Sequence, residues 1–182
     1  GGLASMGNGV PYALAAKFAE PDKPVVAMVG DGAMQMIGNN GLITAAHYWR
    51  EWPDPRLVIL VLNNRDLNQV TWEQRVMEGD PKYQSSQALP DFDYDRYAEM
   101  LGLRGLRLDD PDQVVAVLED ALNADRPVVI NAVVDPNVPP LPTHLEMDQV
   151  KGYLSSILKG DPEAGPQIRQ SVKAMAAKYL KR

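Results

Sequence analysis

Pro24-Val25-Val26-Ala27-Met28-Val29-Gly30-Asp31-Gly32-Ala33 and Arg56-Leu57-Val58-Ile59-Leu60-Val61-Leu62-Asn63-Asn64 are the two stretches that decide the fold of this chain. Each is an unbroken apolar run of strand length that stops at a polar turn. Strands apolar on both faces belong inside parallel sheets, where helices cover each side. The surrounding sequence supplies those helices. Val10 to Glu20 is Ala-rich, carries Pro11 in its first turn and reads as a helix, and Met34 to Trp52 reads as another between the two strands. Further on, Tyr94 to Leu101 is a short helix closed by Gly102, and Leu103 to Leu108 is a weaker strand. Asp109-Asp110-Pro111 opens a helix to about Ala124, Pro127 to Val134 is a third good strand, and helices follow at about Glu146 to Leu158 and Pro166 to Leu180. The alternation predicts an α/β fold, doubly wound, with a mainly parallel sheet, helices on both faces and additional C-terminal helices. Right-handed crossovers would set the carboxyl ends of the strands along one edge, where such folds bind ligands.

Two segments are expected: an α/β domain over 1–135, and over 136–182 a Pro-rich linker with C-terminal helices packed on the domain or extending from it. The 182 residues, 45% of them hydrophobic, suffice for one substantial core. A net charge of -6 argues against nucleic acid as a partner, and no apolar run is long enough to cross a bilayer. Without cysteine there is no disulfide, thiolate zinc site or cysteine nucleophile, and cytoplasm is the default expectation. Gly1-Gly2-Leu3 carries neither an initiator methionine nor a signal-peptide pattern, so the chain is expected to start inside a longer polypeptide.

The chemistry is expected at the two strand ends. Glycines 30 and 32 permit a tight turn and close approach, and the amides of Gly32 and Ala33, at a helix N-terminus, can receive a diphosphate. A hard cation bridging that diphosphate wants oxygen ligands in octahedral array; the Asp31 carboxylate, the Asn64 amide oxygen and the Asp66 carbonyl would supply three, and two phosphate oxygens and a water the rest. Gly-Asp-Gly alone is an ordinary turn, and Asn64 alone is an ordinary turn-former. The pair of motifs is more specific, because thirty residues separate Gly32 from Asn63 and both motifs directly follow apolar strands. Asn39-Asn40 has no strand before it and is assigned to the first turns or polar face of a helix.

GDG(x30)NN, with Gly2-Leu3-Ala4-Ser5-Met6-Gly7-Asn8-Gly9-Val10-Pro11 before it, resembles the C-terminal diphosphate-binding domain of the thiamine diphosphate (ThDP) dependent enzymes that include acetolactate synthase, pyruvate oxidase and pyruvate decarboxylase. The resemblance implies ThDP and Mg²⁺ as cofactors and a 2-keto acid, pyruvate above all, as substrate. It implies that Met6 wedges under a bent cofactor, that backbone groups of Ala4 and Met6 meet the aminopyrimidine, and that Leu67 joins Gly30, Asp31, Gly32, Ala33, Asn64 and Asp66 around the cofactor. Ala4 stands where many relatives have glycine. The loop Leu67 to Arg75 corresponds to the substrate or flavin region, with Asn68, Gln69, Val70 and Glu73 as its candidate contacts; Asn68 and Gln69 depart from the family's glycine and large apolar residue. Trp72 falls one position early for the acetolactate synthase tryptophan and is as readily a packing residue, whereas Glu73 fits pyruvate oxidase spacing.

The tail, Val138-Pro139-Pro140-Leu141-Pro142 through Gln149 to Tyr153, is similar to that of quinone-linked pyruvate dehydrogenases. The expectation is therefore a pyruvate oxidase or quinone-linked dehydrogenase type of decarboxylating enzyme, with an acetolactate synthase-like carboligase or a noncatalytic nucleotide-binding module as alternatives. The resemblance further implies a catalytic glutamate on an N-terminal pyrimidine-binding domain of the parent or a partner subunit, a homodimer or homotetramer, and a longer protein in which FAD is an open question. A terminal helix carrying Val172, Met175, Ala176 and Tyr179 on one face, with Lys173, Lys178, Lys181 and Arg182 as its charges, is read as packed or solvated in preference to membrane-bound. His47 and His144 lack partners at metal spacing, and Arg65 reads as a solvated turn charge.

Overall fold

A computed structural model describes residues 5–138 and 147–170. In chain order the elements are α1 (Gly9–Ala19), β1 (Val25–Gly30), α2 (Asp31–Ala33), a π-helical turn (Met34–Gly38), α3 (Asn39–Tyr48), β2 (Leu57–Asn63), α4 (Asn68–Glu73), a second π-helical turn (Gln74–Glu78), α5 (Gln84–Gln87), α6 (Tyr94–Met100), β3 (Arg104–Leu108), α7 (Val114–Leu122), β4 (Val128–Val133) and α8 (Met147–Leu158). The described residues form two compact units. One runs to Asn64 and resumes over Pro90–Val134; the other joins Arg65–Leu89 to the chain from Asp135 onward. The expected division at 135/136 placed residues 65–89 in the first domain, whereas their packing groups them with the C-terminal segment.

The first unit is a four-stranded sheet in the order β1-β2-β4-β3, parallel throughout. Period-two alternation sorts its apolar residues into two layers. Val29, Leu57, Ile59, Val61 and Val129 pack with α1, α3 and α6, through Val10, Leu14, Leu42, Ala45, Tyr94 and Ala98. Val58, Val128 and Ile130 pack on the other face with Ala121 and Ala124, assisted by Val117 and Leu118 of α7. The expected doubly wound parallel α/β architecture is therefore present. Fully burying each such aliphatic side chain contributes about 1.5–3 kcal/mol. β1 is an edge strand, and Val26 and Met28 remain exposed on its other face.

Two details sharpen the expected boundaries. The helix after β1 begins at Asp31, directly after the extended Gly30, so Gly-Asp-Gly is a strand-to-helix junction and not a free turn. The cap at Asp110 is present, its carboxylate accepting from the Asp112 amide at 3.0 Å ahead of a Pro111–Gln113 3₁₀ turn. Lys17, fully buried, donates to the carbonyls of Pro21, Lys23 and Asp54 at 3.1, 2.6 and 2.7 Å and so ties the end of α1 to the approach of β2.

In the second unit, Leu67 to Arg75 was expected as a loop and is helical from Asn68 onward instead. Thr71, Trp72, Arg75 and Val76 form its buried side, and Trp72 lies 5.3 Å from Tyr153 of α8, ring centre to ring centre. That buried side explains the helix and assigns Trp72 to packing. α8 matches the expected helix from about residue 146, and the predicted helix at Pro166 is observed as far as Gln170. Ala4, His144, the linker beyond Val138 and the apolar and basic residues of the terminal helix lie outside the described residues.

Close approach between α6 and β3 rests on Gly105, whose Cβ would collide with the carbonyl of Asp95. That neighbour is backbone and cannot rotate away. Gly105→Ala is expected to destabilise the fold by about 1–3 kcal/mol, read as a lower urea midpoint with the slope unchanged.

Candidate functional site

Because β1 pairs with β2 so that Gly30 stands opposite Leu62, and β2 pairs with β4 so that Asn63 stands opposite Val133, the carboxyl ends of three strands share one edge of the first unit. Asp31 leaves that edge as the first residue of a helical run continuing through Tyr48. Its carboxylate is only 3% exposed and accepts the Gly32 amide at 2.9 Å. A carboxylate in the first turn of a helix is favourably placed against the positive end of the helix dipole. Gly30 has open space where a Cβ would stand, so the backbone there is approachable from outside.

The Asn pair divides its work. Asn63 is buried; its Nδ2 donates to Asn131 Oδ1 at 3.1 Å, and Asn131 Nδ2 donates to Asp95 Oδ1 at 2.7 Å. Asn64, half-buried, is the residue just beyond the strand. Asn39 and Asn40 open α3, as their reading from sequence required.

Gln35 and Tyr94, which sequence patterns did not single out, brace the junction at Asp31. Tyr94 is fully buried; its hydroxyl donates to the Asp31 carbonyl at 3.2 Å and accepts from Gln35 Nε2 at 3.1 Å, and the same Nε2 reaches the Pro90 carbonyl at 3.1 Å. Burial pushes the Tyr94 phenol up to about 12; the Gln35 hydrogen bond opposes this and the nearby Asp31 and Asp91 charges reinforce it. Its only signal in the sequence is an aromatic at the first turn of a short helix, which core packing alone explains.

Met6 is 46% exposed, which sets it apart from core filler. The left-handed Gly7 (φ +89) turns the chain beside it, and a Cβ at Gly7 would press on Ile37 at 3.0 Å. His47 is exposed and stacks edge-on against Tyr48, with ring centres 4.5 Å apart.

The second unit carries the remaining sequence candidates. Asp66 is buried, its Oδ1 accepting from Thr71 Oγ1 at 3.1 Å and from Lys82 Nζ at 3.0 Å. Leu67 is half-buried, and its amide donates to the Gln87 carbonyl at 2.8 Å. Asn68 Nδ2 donates to the Pro136 carbonyl at 2.7 Å, so this departure from the family's glycine has a structural use. Gln69, Val70 and Glu73 lie on the exposed side of α4, with Gln69 Nε2 donating to Glu73 Oε1 at 3.0 Å. Arg65 is exposed with φ 58, a left-handed non-glycine residue immediately after Asn64. Among the described residues no group of three His, Cys, Asp or Glu forms a metal cluster, and no helix is long and apolar enough to cross a membrane.

Residues 1–132 match the family model for the thiamine pyrophosphate enzyme C-terminal TPP-binding domain. The chain is 32% identical over 177 residues to the putative thiamine pyrophosphate-containing protein YdaP of Bacillus subtilis, covering 95% of this chain and 29% of that protein. It is 37% identical over 139 residues to acetolactate synthase isozyme 3 large subunit of Escherichia coli, covering 74% of this chain and 23% of that subunit. Among solved structures it is similar to the thiamine diphosphate-dependent 4-hydroxybenzoylformate decarboxylase of Rhodococcus jostii RHA1, at a TM-score of 0.62 and 28% identity, over 71% of this chain and 23% of that one. The chain thus spans less than a third of the length of each of these proteins.

The buried phenol is directly measurable. A tyrosine protonated to about pH 12 when folded but only to about pH 10 when unfolded holds its proton longer in the native state, so stability falls as pH rises between those values. One of the seven tyrosines should resist ionisation in absorbance titration of the folded protein, and Tyr94→Phe should abolish that resistance and flatten the alkaline stability loss.

Proposed function

The chain belongs to the thiamine pyrophosphate enzymes, as their C-terminal TPP-binding domain, and on that footing we propose that its strand-end edge holds the diphosphate of ThDP through Mg²⁺ in an enzyme that decarboxylates a 2-keto acid. The observation that carries this reading is the buried Asp31 carboxylate at the junction of β1 and its helix, on the same sheet edge as the end of β2, from which Asn64 follows. The donor set suits a hard cation: one carboxylate from Asp31, one amide oxygen from Asn64 and, two residues along the chain, the backbone carbonyl of Asp66. The Asp66 carboxylate is engaged by Thr71 and Lys82, which supports the carbonyl as its contribution to the metal.

The chain's own residues bind and orient. The helix-terminal amide of Ala33 would receive a diphosphate, and that of Gly32, held here by Asp31, would be freed for the same purpose if the carboxylate turned to the cation. Tyr94 donates to the Asp31 carbonyl, Gln35 donates to the Tyr94 hydroxyl, and together they fix the junction. Met6, exposed beside the left-handed Gly7, is available as the wedge, and Ala4 and Leu67 would be further contacts to the cofactor. When bound, ThDP supplies the electron sink for loss of carbon dioxide from the keto acid. Asn68, Gln69, Val70 and Glu73 are the proposed substrate-facing region, of which Gln69 and Glu73 present polar groups at the surface.

Several of the relatives are acetolactate synthases, which favours a carboligase fate for the decarboxylated fragment over the oxidase type suggested by the tail. In either case the carboxylate that assists activation of the cofactor is proposed to come from a pyrimidine-binding domain, and the working enzyme to be a homo-oligomer.

In the longer protein, Asp31→Ala is expected to weaken Mg²⁺-dependent ThDP binding by about 100-fold or more, roughly 2.7 kcal/mol, and Asn64→Ala to weaken it less. Isothermal titration with and without Mg²⁺ reads both. Binding of ATP or NAD in place of ThDP would instead support a noncatalytic nucleotide module. The chain by itself, given ThDP and Mg²⁺ in excess, is expected to release no carbon dioxide from pyruvate until a cognate pyrimidine-binding domain is added; sustained turnover by the chain alone would refute the proposed division of the site.

A further inference from the structure

The second unit contains a buried ionic network whose far end lies in the C-terminal segment. Arg75 Nε and Nη2 donate to Asp161 Oδ2 and Oδ1 at 2.7 and 2.9 Å, and Nη2 also reaches Glu163 Oε2 at 2.9 Å. Both the Arg75 and Asp161 side chains are 1% exposed. Gln167, with its amide turned so that the oxygen faces the guanidinium, accepts from Arg75 as well. Lys82 Nζ bridges Glu163 Oε1 at 2.8 Å and Asp66 Oδ1 at 3.0 Å, and the Lys82 amide donates to Asp161 Oδ2 at 2.9 Å. Asp161 also accepts from the Glu163 amide at 2.9 Å, which closes the turn after α8. Burial would raise the Asp161 carboxyl, but Arg75 and the two backbone amides hold it below its ordinary value.

Removing five ionic side chains from water is costly, and apolar residues of similar volume commonly stabilise a core as well or better. What such a network adds is direction: each bond fixes the angle and distance of a particular group. Here the fixed groups run from residues 161–167 through Arg75 and Lys82 to Asp66. The carboxylate of Asp66 is thereby committed to the interior of this unit, which orients the peptide whose carbonyl carries the metal assignment.

We infer that the segment Asp161–Gln167 is a clasp that positions Asp66, so that retention of metal and cofactor depends on ionic contacts made by residues about a hundred positions further along the chain. The inference rests on the reading of the Asp66 carbonyl as a metal ligand. Glu163, Arg75, Asp161 and Lys82 act as positioning residues and touch neither cofactor nor substrate. Gly79 in its left-handed turn (φ +67) and Gly152, whose Cβ would collide with the Val76 carbonyl, bring α8 close enough for the contacts to form.

The test uses the longer protein and Glu163→Gln, the mildest break because that side chain is 20% exposed. ThDP affinity at fixed Mg²⁺ is expected to fall by about 10-fold, to recover as Mg²⁺ is raised, and to do so without a matching fall in the melting temperature of the cofactor-free protein. Lys82→Met, which breaks the link to Asp66 itself, should weaken binding further, and Lys82→Arg should restore part of it. Asp120→Asn, which removes a surface ion pair with Arg104 in the first unit, is the control and should leave affinity unchanged. Wild-type affinity in folded Glu163→Gln and Lys82→Met proteins would overturn the clasp while leaving the metal assignment intact. Unchanged Mg²⁺-dependent binding in Asp31→Ala and Asn64→Ala would remove the metal assignment, and the clasp with it.

Discussion

The parallel register between β1 and β2 is the constraint on which the site depends. With Gly30 opposite Leu62, the two strands reach the same edge together, and the residues that follow them emerge side by side. Burial holds that register. Val25, Ala27 and Val29 share a face with Leu57, Ile59 and Val61 against α1 and α3, and a slip of one residue would turn either set toward the wrong layer. The glycines at Gly9 and Gly41 belong to the same arrangement, since side chains there would strike Val29 and Val10 where α1 crosses the sheet and α3. Placement of Asp31 is thus a consequence of hydrophobic packing well away from it.

Polar residues then refine what packing sets coarsely. A buried hydroxyl or amide is costly unless it is bonded, and in the first unit Tyr94, Asn63 and Asn131 are. Tyr94 meets the Asp31 carbonyl, and the Asn63–Asn131–Asp95 chain ties the last residue of β2 to β4 and α6. The junction is held from several sides, which is what preorganised binding of a charged group requires.

The second unit is built differently. Its helices α4 and α8 bury few large apolar side chains, and Arg75, Lys82, Asp66 and Asp161 occupy positions that a larger domain would fill with aliphatic residues. Order there comes from satisfied charges, whose strength depends on geometry more than on area. This makes the unit a precise holder for the loop that follows Asn64.

The sequence by itself determined the elements and the family. Largely apolar runs at 24–29, 56–62 and 127–134 and the helices between them specified a parallel α/β sheet, because a strand apolar on both faces is stable only with both faces covered. Gly-Asp-Gly and Asn-Asn after two of those runs marked the edge, since that feature depends on local order along the chain. Tertiary structure alone decided the rest: that Asn63 is a sheet residue while Asn64 lies beyond the strand, that Asn68 to Arg75 is helical, that Tyr94 braces Asp31, and that Asp161 and Glu163 reach Arg75 and Lys82. These outcomes depend on packing and bonding between segments far apart in sequence, and neither periodicity nor spacing encodes which polar side chain a distant segment will bring within hydrogen-bond reach.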